Sequence, residues 1–311
     1  MKVLSVVGAR PQFIKASPLC RALRLRHQEV LVHTGQHYDA GMSDVFFEEL
    51  GIPTPDYHLG VGSGSHGSQT GAMLAALEAV MHKESPHVVL VYGDTNSTIA
   101  GALAASKLHI PVAHVEAGLR SFNRAMPEEI NRVVADHLST WLFAPSSIAA
   151  QHLRREGIVA GVHVVGDVMI DAIDLHREAA RARSGVLARL GVESGRYYVA
   201  TVHRAENTDN RGRLVAILGA VGRLPPGRLL PLHPRTRKRI DELAITVTGD
   251  VRVLEPLGYL DTIAVVSSAA CLLTDSGGMQ KEAYYLGVPC VTMRDETEWV
   301  ETVEAGWNAL A

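Results

Sequence analysis

Residues Cys271 to Glu301 read CLLTDSGGMQKEAYYLGVPCVTMRDETEWVE. A short apolar run, Cys271 to Leu273, ends in Thr274-Asp275-Ser276-Gly277-Gly278, and a helical pattern follows from Met279 to Leu286. Gly287-Val288-Pro289 then leads into a second apolar run. Two strands joined through a helix cannot form a hairpin; they lie parallel, in a sheet that helices cover. The turn presents a serine hydroxyl and backbone N–H groups at the positive end of a helix, which suits an anion such as a phosphate. An ordinary tight turn would use the same glycines, and Ser-Gly-Gly alone favours that plainer reading. Glu282, one turn into the helix, and Arg294, at the end of the next strand, favour a ligand, because open α/β sheets bind at their strand ends.

The same alternation runs through the chain. Strands are expected at Lys2 to Val7, Glu29 to His33, His87 to Tyr92, Val112 to Val115, Trp141 to Ala144 and Val162 to Val165. After Gly166-Asp167-Val168-Met169, a helix from Ile170 to Leu190 leads to strands at Tyr197 to Thr201, Leu229 to Leu232 and Val251 to Leu254. Gly60 to Gly67 is glycine- and serine-rich, follows a Pro-rich turn, and reads as a flexible loop or lid. At 311 residues the chain suggests two domains, 1–168 and 169–311. The expected fold is α/β: two doubly wound Rossmann-like domains facing across a cleft.

Charge and cysteine usage narrow the function. A net charge of −3 and a pI near 6.6 make no electrostatic case for nucleic acid or an anionic membrane. The N-terminal apolar run meets Gly8-Ala9-Arg10-Pro11 too soon for a signal peptide, and no run reaches membrane-spanning length. Cys20, Cys271 and Cys290 stand in apolar contexts without a CxxC pair, as reduced residues of a cytoplasmic protein. Fifteen histidines show no metal-ligand spacing, so no metal is expected. The first strand lacks the G-x-G-x-x-G that a dinucleotide fold carries there, which disfavours NAD and leaves no cofactor expected.

Arg10 and Lys15 follow that first strand, where two bases suit a diphosphate as readily as they suit solvent. Thr34 to Asp39, TGQHYD, is dense enough in polar residues to line a cleft. Asp94, in Gly93-Asp94-Thr95-Asn96-Ser97-Thr98, taken alone reads first as a helix cap. Glu128 and Glu129 are equally explained as complements to a helix dipole. Yet Asp94 and Glu116 end consecutive parallel strands. With Glu128 three acids would converge on one sheet edge, an arrangement that acid/base chemistry explains and packing does not. His203, at a strand end beside Arg204 and Glu206, reads as functional.

Ten segments then fall in order across nearly the whole chain: GARPQFIK, TGQHYD, VYGDTNST, HVEAGLRSF, MPEEINR, VGDVMID, TVHRAEN, LHPRT, EPLGYLD and LTDSGGMQKEA. Together they resemble the non-hydrolysing UDP-N-acetylglucosamine 2-epimerases, which share the two-domain GT-B fold. The resemblance implies interconversion of UDP-GlcNAc and UDP-ManNAc by anti elimination of UDP to a 2-acetamidoglucal and re-addition on the other face of C2. It implies a catalytic set of Asp94, Glu116, Glu128 and His203. It implies UDP contacts at Arg10, Lys15, Leu257, Ser276, Gly277, Gly278 and Glu282. A cytoplasmic homodimer serving cell-surface polysaccharide synthesis, with a UDP-sugar as its partner, is also implied. The chain departs from the family in four places. Where many members read TERPE it has Thr297-Glu298-Trp299-Val300-Glu301, leaving Arg294 to replace a nucleotide-contacting arginine. An aromatic near the uracil aligns with Thr262, with Tyr259 as stand-in. TGQHYD replaces the TAQHR-like sequence of members activated by a second UDP-GlcNAc. The family continues beyond Ala311, as if this chain were truncated. A UDP-2,3-diacetamido-glucuronic acid 2-epimerase is the nearest alternative, since such enzymes also read TGQHxD and TEWVE. A hydrolysing 2-epimerase, a GT-B glycosyltransferase and a non-catalytic UDP-sugar-binding protein follow.

Overall fold

A computed structural model describes residues 1–36, 47–183 and 185–311. His37, Tyr38 and Asp39 of the TGQHYD segment lie outside the described residues. The chain divides into two units, Met1–Leu175 and His176–Ala311.

The first unit is built on a seven-stranded sheet of β1 (Lys2–Val7), β2 (Gln28–His33), β3 (Tyr57–His58), β4 (Val88–Tyr92), β5 (Val112–Val115), β6 (Trp141–Ala144) and β7 (Val162–Val164). Its order is β3-β2-β1-β4-β5-β6-β7, and every pairing is parallel. The strands wind outward from β1 to β3, return to place β4 against β1, and wind outward the other way. The gap above β1 and β4 is therefore the topological switch point, where ligands of open α/β sheets bind. Alternate strand residues Leu4, Val6, Val30, Val32, Val89 and Val91 form one core with Met73 and Leu77 of the helix His66–Glu84 and Ala100 and Ala104 of the helix Asn96–Lys107. Small residues on that second helix let it approach the sheet closely.

The second unit repeats the plan with β8 (Tyr198–Thr201), β9 (Arg228–Pro231), β10 (Val251–Leu254), β11 (Cys271–Thr274), β12 (Cys290–Thr292) and β13 (Asn308–Leu310). Their order is β10-β9-β8-β11-β12-β13, again all parallel, with the switch point between β8 and β11. Strand alternation separates two cores. Val199, Leu229 and Leu272 pack with Val265 and Ala283 on one face; Ala200, Leu230 and Leu273 pack with Leu214, Leu218 and Ile240 on the other.

Several local expectations are corrected. In place of one helix from Ile170 to Leu190 there are two, Val168–Arg183 and Val186–Leu190, the second with Gly185 as its N-cap; glycine is a poor helix-interior residue and a tolerated cap. Gly277 and Gly278 are the first turn of the helix Gly277–Leu286, not a turn before it. Gly60 to Gly67 is hydrogen-bonded at its start, and its last two residues, His66 and Gly67, already belong to the helix His66–Glu84. Val61 and Gly62 donate to the carbonyls of Thr34 and Gly35, and Gln69 Nε2 donates to the Gly62 carbonyl at 2.6 Å. The apolar patterns of β3 and β13 are too short to have been read as strands.

Candidate active site

In the first unit the chemistry collects at the switch point and on the neighbouring strand β5. The helix Arg10–Arg24 follows β1, and Gln12 near its start closes a hydrogen-bond ring. Its Oε1 accepts from the N–H groups of Gly8 and Ala9, while its Nε2 donates to the Tyr92 carbonyl and Thr98 Oγ1. The backbone donors that a dinucleotide fold turns toward a pyrophosphate are thus filled by the chain's own glutamine. Gly8 must be glycine for another reason: a Cβ there would lie 2.0 Å from Thr34 Oγ1 and 2.2 Å from Ser97 Oγ. Arg10 is half-buried at the helix's first position, and Lys15 lies one turn further on.

β4 and β5 pair with Tyr92 opposite Val115, so the turns that follow them stand side by side. Lys15 Nζ is ion-paired with Glu116 Oε2, and both side chains are nearly buried. Three carboxylates, those of Glu116, Asp94 and Asp167, act on this one ammonium. Burial works against the charged lysine, but the acids outweigh it and raise its pKa. Glu116 is also raised, by burial first, then by Asp167 and Asp94 against the opposing Lys15. Three acids around one base hold an extra proton more tightly than any acid would alone. Asp94 is 31% exposed and paired with Arg132 at 2.8 Å. The helix Pro127–Leu138 carries that arginine, and Asn131 beside it donates to the Asp94 carbonyl at 2.9 Å. Glu128, in its first turn, is half-buried. Its neighbour Glu129 turns inward, accepting from the N–H groups of Ser121 and Phe122 and from Ser121 Oγ. Glu129 thereby holds the preceding loop.

In the second unit, His203 follows β8 and Ser276 follows β11, again at the switch point. His203 is 38% exposed, and its Nδ1 lies 3.0 Å from Oδ1 of the fully buried Asp275. Asp275 also accepts from the N–H groups of His203 and Arg204 and from Asn207 Nδ2. Burial pushes its carboxyl up, but the histidine and these donors prevail and hold it below the ordinary range. The sequence offered Asp275 only as part of a turn; its position between a strand end and Ser-Gly-Gly was the available signal. Ser276 caps the helix Gly277–Leu286, its Oγ accepting from Met279 N at 3.3 Å. Gly278 is exposed at that helix start, whereas Gly277 and Glu282 are buried. A Cβ on Gly277 would lie 2.1 Å from Glu298 Oε1, so the glycine makes room for a carboxylate.

Arg294 is not presented at the surface: it is 1% exposed and paired with Glu298 at 3.0 Å. Trp299 is also buried, with Lys281 Nζ 3.3 Å from its ring centroid. Tyr259 is buried in a T-shaped contact with His176, and Leu257 packs half-buried against the core. Among the described residues no group of three or more His, Cys, Asp or Glu is arranged to hold a metal ion, and no helix is long and apolar enough to cross a membrane.

The family model for UDP-N-acetylglucosamine 2-epimerase matches residues 21–311. A UDP-N-acetylglucosamine 2-epimerase homolog of Methanococcus maripaludis is 52% identical over 100% of this chain and 88% of its own length. The UDP-2,3-diacetamido-2,3-dideoxy-D-glucuronate 2-epimerase of Pseudomonas aeruginosa is 51% identical over the same shares. The crystal structure of Methanocaldococcus jannaschii UDP-GlcNAc 2-epimerase, in complex with UDP-GlcNAc and UDP, has a TM-score of 0.94 to this chain at 47% identity, covering 100% of this chain and 89% of that one. Fold, strand-end chemistry and these likenesses agree: the chain belongs to the UDP-N-acetylglucosamine 2-epimerase family of isomerases.

Proposed function

We propose that the protein interconverts UDP-GlcNAc and UDP-ManNAc by removing and returning the proton at C2. The observation that carries this reading is the acid cluster at the ends of β4 and β5, where Glu116 and Asp94 share Lys15. The C2 hydrogen is not acidic, so departure of UDP drives the elimination. A base takes the C2 proton, and the C1–O bond breaks with its electron pair going to UDP. Return of UDP to C1 and of a proton to the opposite face of C2 completes the inversion. Glu116, raised above its ordinary range by burial and by neighbouring acids against the opposing Lys15, is assigned as one of the groups that give and take the proton. Asp94, Glu128 and His203 are the other proton carriers; Asp275 keeps His203 oriented.

Developing charge on the leaving diphosphate calls for cations and backbone donors. Arg10, Lys15, Ser276, Gly277 and Gly278 are assigned to it, with Glu282 on the nucleoside side. Leu257 and Tyr259 are assigned to the uracil side. Buried Arg294 fits a role through Glu298 better than one on the nucleotide. The route needs no redox cofactor. By the same resemblance the protein is a cytoplasmic homodimer whose product feeds cell-surface polysaccharide synthesis.

Incubation with UDP-GlcNAc in heavy water tests the reading by NMR: UDP-ManNAc carrying deuterium at C2 is expected. Retention of the original C2 hydrogen would overturn it. A second reading, a UDP-diacetamido-glucuronate as substrate, is favoured by the 51% identity to an enzyme named for it and by the Thr297-Glu298-Trp299-Val300-Glu301 segment that such enzymes are expected to share. Parallel incubation with each UDP-sugar separates the two.

A further inference from the structure

Two buried side chains outside the proposed catalytic set connect both acid-bearing turns. His114, on β5, is 0% exposed. Its Nδ1 lies 2.7 Å from Asp136 Oδ1, and its Nε2 lies 2.7 Å from the carbonyl oxygen of Gly93, the residue before Asp94. The other oxygen of Asp136 accepts from the N–H of Gly118 at 3.1 Å and from Arg120 Nη1 at 2.7 Å. Gly118 is two residues beyond Glu116. One histidine and one aspartate therefore bridge the backbone beside Asp94 to the backbone beside Glu116.

Both turns need such a tie. Gly93 and Gly118 have φ of 59° and 84°, and Glu116 itself sits at φ 69°, a region costly for a residue with a side chain. Strain of this kind persists only where the surroundings over-determine it. The polar face of the helix Pro127–Leu138 supplies those surroundings. Asn131 holds the Asp94 carbonyl, Arg132 holds its carboxylate, and Asp136, one turn later, reaches Gly118 and His114. Arg120 extends the tie to Glu156, donating to both its oxygens at 2.7 Å.

We propose that His114 and Asp136 are positioning residues that set the separation of Asp94 and Glu116, so that their loss is felt far more at the chemical step than in UDP binding. The proposal rests on the epimerase reading above. Of the groups assigned to the diphosphate it reaches only Lys15, through that residue's ion pair with Glu116.

The test uses the full-length enzyme and compares His114→Phe, His114→Gln, Asp136→Leu and Asp136→Asn with wild type. Turnover, C2 deuterium incorporation, KM for the UDP-sugar and calorimetric Kd for UDP are read on the folded fraction of each. The phenylalanine, glutamine and leucine variants should lose 30-fold or more in turnover and in deuterium incorporation, with KM and Kd within about 3-fold of wild type. The fold-change is on the scale of one misplaced acid/base group. Asp136→Asn should recover most of the turnover lost by the leucine variant: its amide oxygen can accept from Gly118 and Arg120 while its NH2 donates to His114. If His114→Phe does not fold, the glutamine variant decides, since it keeps one donor toward Gly93. Glu29→Gln, in a separate buried cluster with Ser5, Cys20 and Arg24, should reduce stability and leave turnover per folded molecule unchanged. Near-normal turnover in the histidine variants, equal losses in turnover and UDP affinity, or no recovery in Asp136→Asn would overturn the positioning role alone. A wild-type protein that exchanges no C2 hydrogen in any UDP-sugar would overturn the functional reading, and the pair with it.

Discussion

At the scale of single residues, the site is governed by what each side chain has beside it. Asp275 shows this through pH. Its folded-state pKa is depressed, because the His203 contact and backbone donors outweigh burial. Its stabilisation is therefore present above the unfolded value of about 4 and is lost as pH falls through the lower folded value. Asp275→Asn should lower stability at pH 7 and shrink the loss on acidification, measured by denaturant melts at both ends of that range. An acid-induced loss as large as in the wild type would contradict the assignment. Gly277→Ala tests close approach instead of backbone freedom, since the new Cβ would meet Glu298 at 2.1 Å. Displacing that carboxylate should cost about 1–3 kcal/mol of stability, and an unperturbed melting curve would count against the contact. For the acids, Asp94→Asn, Glu116→Gln and Glu128→Gln should each lower turnover by roughly 10²-fold or more while remaining folded. Near-normal turnover in all three would remove acid/base catalysis from the account.

At the scale of elements, two helices matter most, for different reasons. The helix Gly277–Leu286 matters at its first turn, where Ser276 caps it and the exposed Gly278 leaves the N-terminus open to an anion. Ser276→Ala should lose about 1 kcal/mol of capping. It should also weaken UDP binding by about 10- to 150-fold if the hydroxyl meets a phosphate. Calorimetry showing unchanged affinity would separate a cap from a ligand contact. The helix Pro127–Leu138 matters along the face of Asn131, Arg132 and Asp136, which hydrogen-bonds and ion-pairs with the neighbouring turns. The loop Gly60 to Gly67 differs from both. Its composition suggests a lid, yet Gln69 fastens it, a contact set by the packing of the helix His66–Glu84 and invisible in the glycine count. Gln69→Ala should speed hydrogen exchange at the amides of Val61 and Gly62, and unchanged protection there would show that backbone bonds alone hold the loop.

At the scale of the whole molecule, the chain is two α/β units with separate cores, and the proposed chemistry of each lies at the carboxyl ends of strands at or beside its own switch point. Leu272→Ala, in the core of the second unit, should cost about 2–5 kcal/mol. UDP at a hundred times its Kd should offset roughly 2.7 kcal/mol of that, read as a rise in melting temperature; no rise would mean that UDP is not bound by the folded variant. Much of this plan was legible in the residues alone. Apolar runs of strand length, each closed by glycine or polar residues and followed by a helix pattern, dictate parallel strands under helices, and they place Asp94, Glu116, His203 and Ser276 at strand ends. That inference is local, because strand, turn and helix are contiguous in sequence. What the residues could not supply depends on segments far apart. Asp275 beneath His203, Glu129 folded inward onto the Ser121-Phe122 backbone, Arg294 buried on Glu298, and the His114–Asp136 bridge are side-chain choices made when separate strands and helices come together. A carboxylate at a strand end looks the same in sequence whether it faces a substrate or holds a neighbour. Only the packing that removes one from water and leaves the other partly exposed decides which it is.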